Sequence, residues 1–135
     1  MAALACAAMG LGCGHGADER ESAAILEQVD RLRLADPAER EPLLASLEHT
    51  RPKNVVADQA RQHCAAAYRA LLENLQLTER LKQAVRAAKA DAGSRPDDAA
   101  VSRDLDAAEK TLATANQEMP QCDQAMAALR LVPQR

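Results

Sequence analysis

Aromatic side chains are almost missing from this chain, which has no Trp, no Phe and a single tyrosine, Tyr68. A β-sandwich or barrel draws on aromatic and β-branched residues, so this scarcity argues against an all-β fold. It argues equally against an ordinary globular enzyme built around a thick core. A basic excess is also lacking: 17 Lys and Arg stand against 20 Asp and Glu, for a formal net charge of −3. That removes the electrostatic footprint of a nucleic-acid binder. Glycine is rare beyond the start, where Gly10, Gly12, Gly14 and Gly16 cluster, and the body holds only Gly93. No Cys-x-x-Cys, His-Glu-x-x-His, phosphate loop, haem-attachment motif or Gly-x-Ser-x-Gly elbow occurs, so no metal, cofactor or nucleophile site is expected. His49 and His63 read as solvated helix-surface residues, and Asp97-Asp98 as helix-start residues rather than an acid/base pair.

What is abundant is alanine, with 31 residues; Ala, Glu, Lys, Leu and Arg together make up 75 of the 135. Such a composition points to long helices or a coiled coil in one domain. Prolines at 37, 42, 52, 96, 120 and 133 cut the body into two short segments and two long runs, Val55–Asp91 and Asp97–Leu131.

The beginning of the chain is different. Ala2–Leu11 is small and apolar, about half of what a membrane-spanning helix needs, and polar sequence follows at once. Leu11-Gly12-Cys13-Gly14 resembles the lipobox of bacterial lipoproteins, in which the signal is cut before a cysteine that is then lipidated. Gly12 and Cys13 match that pattern, whereas Gly10 stands where the family usually has leucine. The resemblance implies a signal-peptide-like segment at 1–12, a flexible tether at 13–18 and lipidation at Cys13. It leaves 19–135 as a single helical domain, held in the cell envelope by its lipid alone. A secreted soluble form is the alternative. Several acyl chains on one cysteine satisfy the requirement for more than one lipid signal.

In the second long run Val101, Leu105, Ala108, Leu112, Ala115, Met119, Cys122, Met126 and Leu129 recur at alternating spacings of four and three. That heptad pattern predicts a helix packed along a partner. The first run follows it less cleanly through Ala57, Ala60, Cys64, Ala67, Leu71, Asn74, Thr78, Leu81, Val85 and Ala88. The polar Asn74 either fixes the register or is hidden by a rotated stripe of Leu71, Leu75 and Leu81. The short connection at 92–96 forces antiparallel packing, with Ser94 and Asp97 read as a capping box and Pro96 in the first turn. Facing residues then have position numbers of constant sum, and the sum 186, centred on Gly93, sets Cys64 opposite Cys122. The basic end of the first run (Arg80, Lys82, Arg86, Lys89) falls beside the acidic start of the second (Asp97, Asp98, Asp104, Asp106, Glu109).

The expected fold is therefore all-α: a long antiparallel, coiled-coil-like hairpin at 55–131 with its tip near 92–96. One or two short N-terminal helices should pack at its open end. Ile25, Val29 and Leu32 supply one apolar stripe, and Leu43, Leu44 and Leu47 another, which should meet Val55, Val56, Leu129, Leu131 and Val132. Pro42 should interrupt its helix, and Pro120 should kink or break the last one. A Cys64–Cys122 disulfide would close a loop of nearly 60 residues, which suits a thin core and an oxidising compartment.

The functional expectation is a non-enzymatic envelope lipoprotein that recognises protein partners, a second copy of itself among them, helix on helix. Alternatives are a soluble periplasmic chaperone or adaptor and a thiol-redox-responsive regulator using Cys64 and Cys122. Tyr68 is a candidate interface anchor. Leu77-Thr78-Glu79-Arg80-Leu81 begins like the Leu-Thr-x-x-Gln motif of small periplasmic helical chaperones, but Leu81 stands at the glutamine position and nothing is carried over.

Overall fold

The structure, a computed structural model, describes residues 15–90 and 97–131. The expected signal segment, Cys13, the tip with Gly93, Ser94 and Pro96, and Val132 lie outside the described residues. Four helices account for most of the rest: α1 (His15–Leu34), α2 (Pro37–His49), α3 (Val55–Ala90) and α4 (Asp98–Arg130). α3 and α4 pack against each other as a long antiparallel hairpin, with α1 and α2 at its open end. The result is a four-helix head continued by a two-helix stalk. The tether expected at 13–18 is helical from His15 onward, because α1 begins there.

The helix starts are set by local chemistry. Asn54 caps α3, its side-chain oxygen accepting from Val56 N at 2.9 Å and Ala57 N at 3.1 Å. Asp97 caps α4 itself, accepting from Ala99 N and Ala100 N, so it plays the acceptor role given above to Ser94. Asp36 stands at the cap of α2 with Pro37 behind it, but its side chain makes no capping bond. Neither internal proline breaks its helix. α2 runs through Pro42 and α4 through Pro120. A proline forfeits one backbone bond and crowds the preceding turn. In both helices residues just beyond the proline are buried: Leu44 and Leu47 in α2, Cys122 and Met126 in α4.

The head holds the core. Ile25, Val29, Leu32, Leu44, Leu47, Ala57, Ala60, Cys64, Cys122 and Leu129 are fully buried and belong to one cluster. The α1 stripe is the expected one. Leu44 and Leu47 pack into the same cluster rather than on Val55 and Leu131, which are 70% and 84% exposed. Polar contacts tie α1 along its length: Glu21 accepts from Lys53 N and Asn54 N, and Thr50 Oγ1 donates to Gln28 Oε1. Arg69 of α3 grips Glu48 of α2 through two hydrogen bonds.

In the stalk Leu71, Asn74, Thr78, Leu81 and Ala88 of α3 and Val101, Ala108 and Ala115 of α4 stay sheltered as expected, but Val85, Leu105 and Leu112 leave the seam. Leu105 and Leu112 are 54% and 48% exposed, and Val85 is 52% exposed. In place of those three, Leu77 and Ala84 on α3 and Asp104 and Thr111 on α4 are sheltered between the helices. Asn74 lies in this seam unhidden. Its Nδ2 donates to Ala108 O at 2.7 Å and to Thr111 Oγ1 at 3.2 Å, so its polarity is satisfied across the interface. Leu75, expected to cover it, is 48% exposed. The antiparallel register holds: Arg80 meets Asp104 at 3.0 Å, within two positions of the expected sum.

α1 contributes three fully buried side chains, Ile25, Val29 and Leu32, to the core of the head. Leu32→Ala is expected to cost about 2–5 kcal/mol, as for other fully buried leucines. Leu34→Ala, two residues on and 87% exposed, should stay within about 0.5 kcal/mol of the parent. Urea unfolding followed by far-UV circular dichroism checks both.

Candidate functional site: a clasped disulfide

Cys64 and Cys122 are joined, with a Cα–Cα distance of 4.6 Å and a sequence separation of 58 residues. Alanine at neighbouring seam positions, Ala57, Ala60 and Ala67, lets the two backbones approach this closely. Both cysteines are fully buried. The chain-entropy account gives a bridge over such a loop about 4 kcal/mol.

α1 covers the bridge through Arg33. Its Nη2 lies 3.9 Å from Cys122 Sγ and pairs with Asp123, while its Nε donates to the Tyr68 hydroxyl at 3.2 Å. Burial works against the charged guanidinium, but the Tyr68 hydroxyl and the Asp123 carboxylate outweigh it and hold the pKa above its ordinary value. Tyr68 comes one turn after Cys64 and is only 9% exposed. It is therefore an internal anchor for α1, not an exposed interface residue. Its ring is spent on the core and its hydroxyl on Arg33. The Arg33 contact is a feature that sequence reasoning missed, since nothing in the spacing of α1 marks one arginine of three in Arg31–Arg40 as a clasp.

On the opposite flank of the hairpin His63 Nδ1 lies 2.8 Å from a Glu118 oxygen, linking α3 to α4 one residue before Cys64. His63 is thus a cross-helix partner rather than a solvated histidine. His49 Nδ1 sits 2.6 Å from Ala45 O within its own helix. Among the described residues no group of three or more His, Cys, Asp or Glu side chains could hold a metal ion. None of their helices is long and apolar enough to cross a membrane.

Three carboxylates are held below their ordinary range: Asp58 by hydrogen bonding from Arg61, Glu79 by Lys82 and Asp104 by Arg80. A lowered folded-state pKa adds stability that is complete above the unfolded value and lost as pH falls through the folded one. For Asp104 and Asp58 the unfolded value is near 3.8, and for Glu79 near 4.5. The melting temperature should fall between about pH 5 and about pH 3, and Asp104→Asn should flatten part of that fall in thermal melts.

A thiolate can attack only a sulfur it can reach, so exchange at this bridge requires α1 to lift away. Native-state reduction should be slow, and Arg33→Ala should speed it. A loss of about 1–2 kcal/mol in docking raises the open population roughly 5–30-fold. Timed alkylation of freed thiols under a fixed concentration of reductant measures this. Compared with known proteins, the chain matches no family model, no curated protein and no solved structure.

Proposed function

We propose that this protein is a non-enzymatic lipoprotein of the bacterial cell envelope, anchored through Cys13, whose stapled hairpin serves as a helix-on-helix interaction module. The carrying observation is the buried Cys64–Cys122 bridge. Disulfides persist in oxidising compartments, and Leu11-Gly12-Cys13-Gly14 resembles the signal that would deliver and anchor the chain there. The head then acts as a rigid base and the stalk as the presented surface. Half-exposed leucines along the stalk support recognition by another helix. They are also what a periplasmic chaperone would use as a client clamp, and suppression of client aggregation would favour that second reading. A thiol-responsive regulator is supported less, because both sulfurs lie beneath α1.

The test is metabolic labelling with an alkyne fatty acid, followed by fractionation. The parent should carry the label and sediment with membranes. Cys13→Ser should lose the label. An unlabelled parent recovered in the cytosol with its Cys64 and Cys122 thiols free would overturn the proposal.

A further inference from the structure

The hairpin has two flanks, and they differ. One carries Arg80, Ala84 and Ala87 of α3 beside Ala100 and Asp104 of α4, which line a shallow cleft there. At about 100° per residue, Leu75 and Val85 of α3 and Leu105 and Leu112 of α4 project on the other flank. Tyr68 and Asp123 project on that same flank in the head, where Arg33 brings α1 against them. The exposed stripe is therefore the continuation of the groove that α1 fills. α1 stops at Leu34, where Leu75 borders a cleft with Pro37 and Glu41 of α2, and beyond it the groove lies open with Val85, Leu105 and Leu112, 48–54% exposed.

The walls of the open groove carry opposite charge. On α3 the exposed Lys82, Arg86 and Lys89 follow the stripe, and on α4 the exposed Asp98, Asp106 and Glu109 follow it. Lys82 also meets Glu79 within its own helix. The α4 cations Arg103 and Lys110 fall away from this flank by the same periodicity. A surface with one basic and one acidic wall complements a copy of itself under one of two possible two-fold axes. An axis across the stalk sets α3 on α3 and opposes like charges. An axis along the stalk sets α3 of each chain over α4 of its partner, basic wall on acidic wall, with both heads at the same end.

We infer that a second copy of this chain occupies the groove, giving a parallel, two-fold dimer whose stalks form a four-helix bundle. This deepens the reading of the stalk as a helix-on-helix module and does not depend on the compartment. The open stalk is about 30 Å long and two helices, about 20 Å, wide. The face is on the order of 600 Å² per chain, or about 1,200 Å² in total, the lower edge of stable interfaces. Association should therefore be reversible and concentration-dependent.

Sedimentation equilibrium of the full chain, oxidised, from about 1 μM to about 1 mM is the test. The parent should pass from monomer to dimer. Leu105→Glu with Leu112→Glu, at half-exposed positions, should weaken association at least ~100-fold, a cost typical of charge opposed to an apolar interface, with helicity and the disulfide unchanged. Lys82→Glu with Arg86→Glu should weaken it too. Adding Asp98→Lys and Glu109→Lys to that pair should restore it, which no loss of folding could mimic. Carbodiimide should join α3 lysines to α4 carboxylates between chains of different isotope label. A parent that stays monomeric throughout, or a dimer that the leucine variants leave intact, would overturn the inference. The lipoprotein reading would still answer to its own labelling test.

Discussion

Close approach of two alanine-rich helices is the constraint from which the rest of this structure follows. With Ala57, Ala60 and Ala67 along the seam of α3, the backbones of α3 and α4 come within reach of a disulfide, and Cys64 and Cys122 lie 4.6 Å apart at Cα. A seam this narrow buries little apolar surface by itself. Small residues bring the helices together without supplying the hydrophobic area that would hold them there. The bridge and a third helix meet that shortfall. α1 lays Ile25, Val29 and Leu32 into the groove beside the seam, and the head acquires its core.

The same narrowness leaves a groove along the whole hairpin. In the head α1 fills it, with Arg33 joining Tyr68, Asp123 and the sulfur of Cys122. In the stalk nothing in the described chain does. The molecule thus carries two treatments of one surface, covered over the disulfide and open beyond it. The covered part protects a covalent link from exchange. The open part offers leucines between walls of opposite sign.

Much of the head was legible in the sequence. The heptad through Ala57, Cys64, Cys122, Met126 and Leu129 placed the two cysteines face to face, because a short connection and constant-sum pairing leave no other register. The α1 stripe was equally plain from its period. The stalk was less so. Leucine spacing favoured Leu105 and Leu112 as seam residues, yet both are half exposed. Periodicity cannot distinguish rotations of about half a turn-step when both flanks of a helix carry small or apolar side chains. Size decides the matter. Leucine opposite leucine would push the axes apart, whereas Ala108, Thr111, Ala84 and a hydrogen-bonded Asn74 keep the spacing that the disulfide sets.

By itself the sequence determined the helices, their antiparallel order, the pairing of Cys64 with Cys122 and the apolar face of α1. These depend on period, cap and chain connectivity, which are local or nearly so. Tertiary structure alone decided three things. It turned α4 in the stalk so that Asp104 and Thr111, rather than Leu105 and Leu112, are sheltered against α3. It turned Tyr68 from a surface candidate into the anchor for Arg33. It left Val85, Leu105 and Leu112 half exposed on a single open flank. Each depends on how far apart two helices stand and where a third one lies, and the hydrophobic period of one segment carries no record of either.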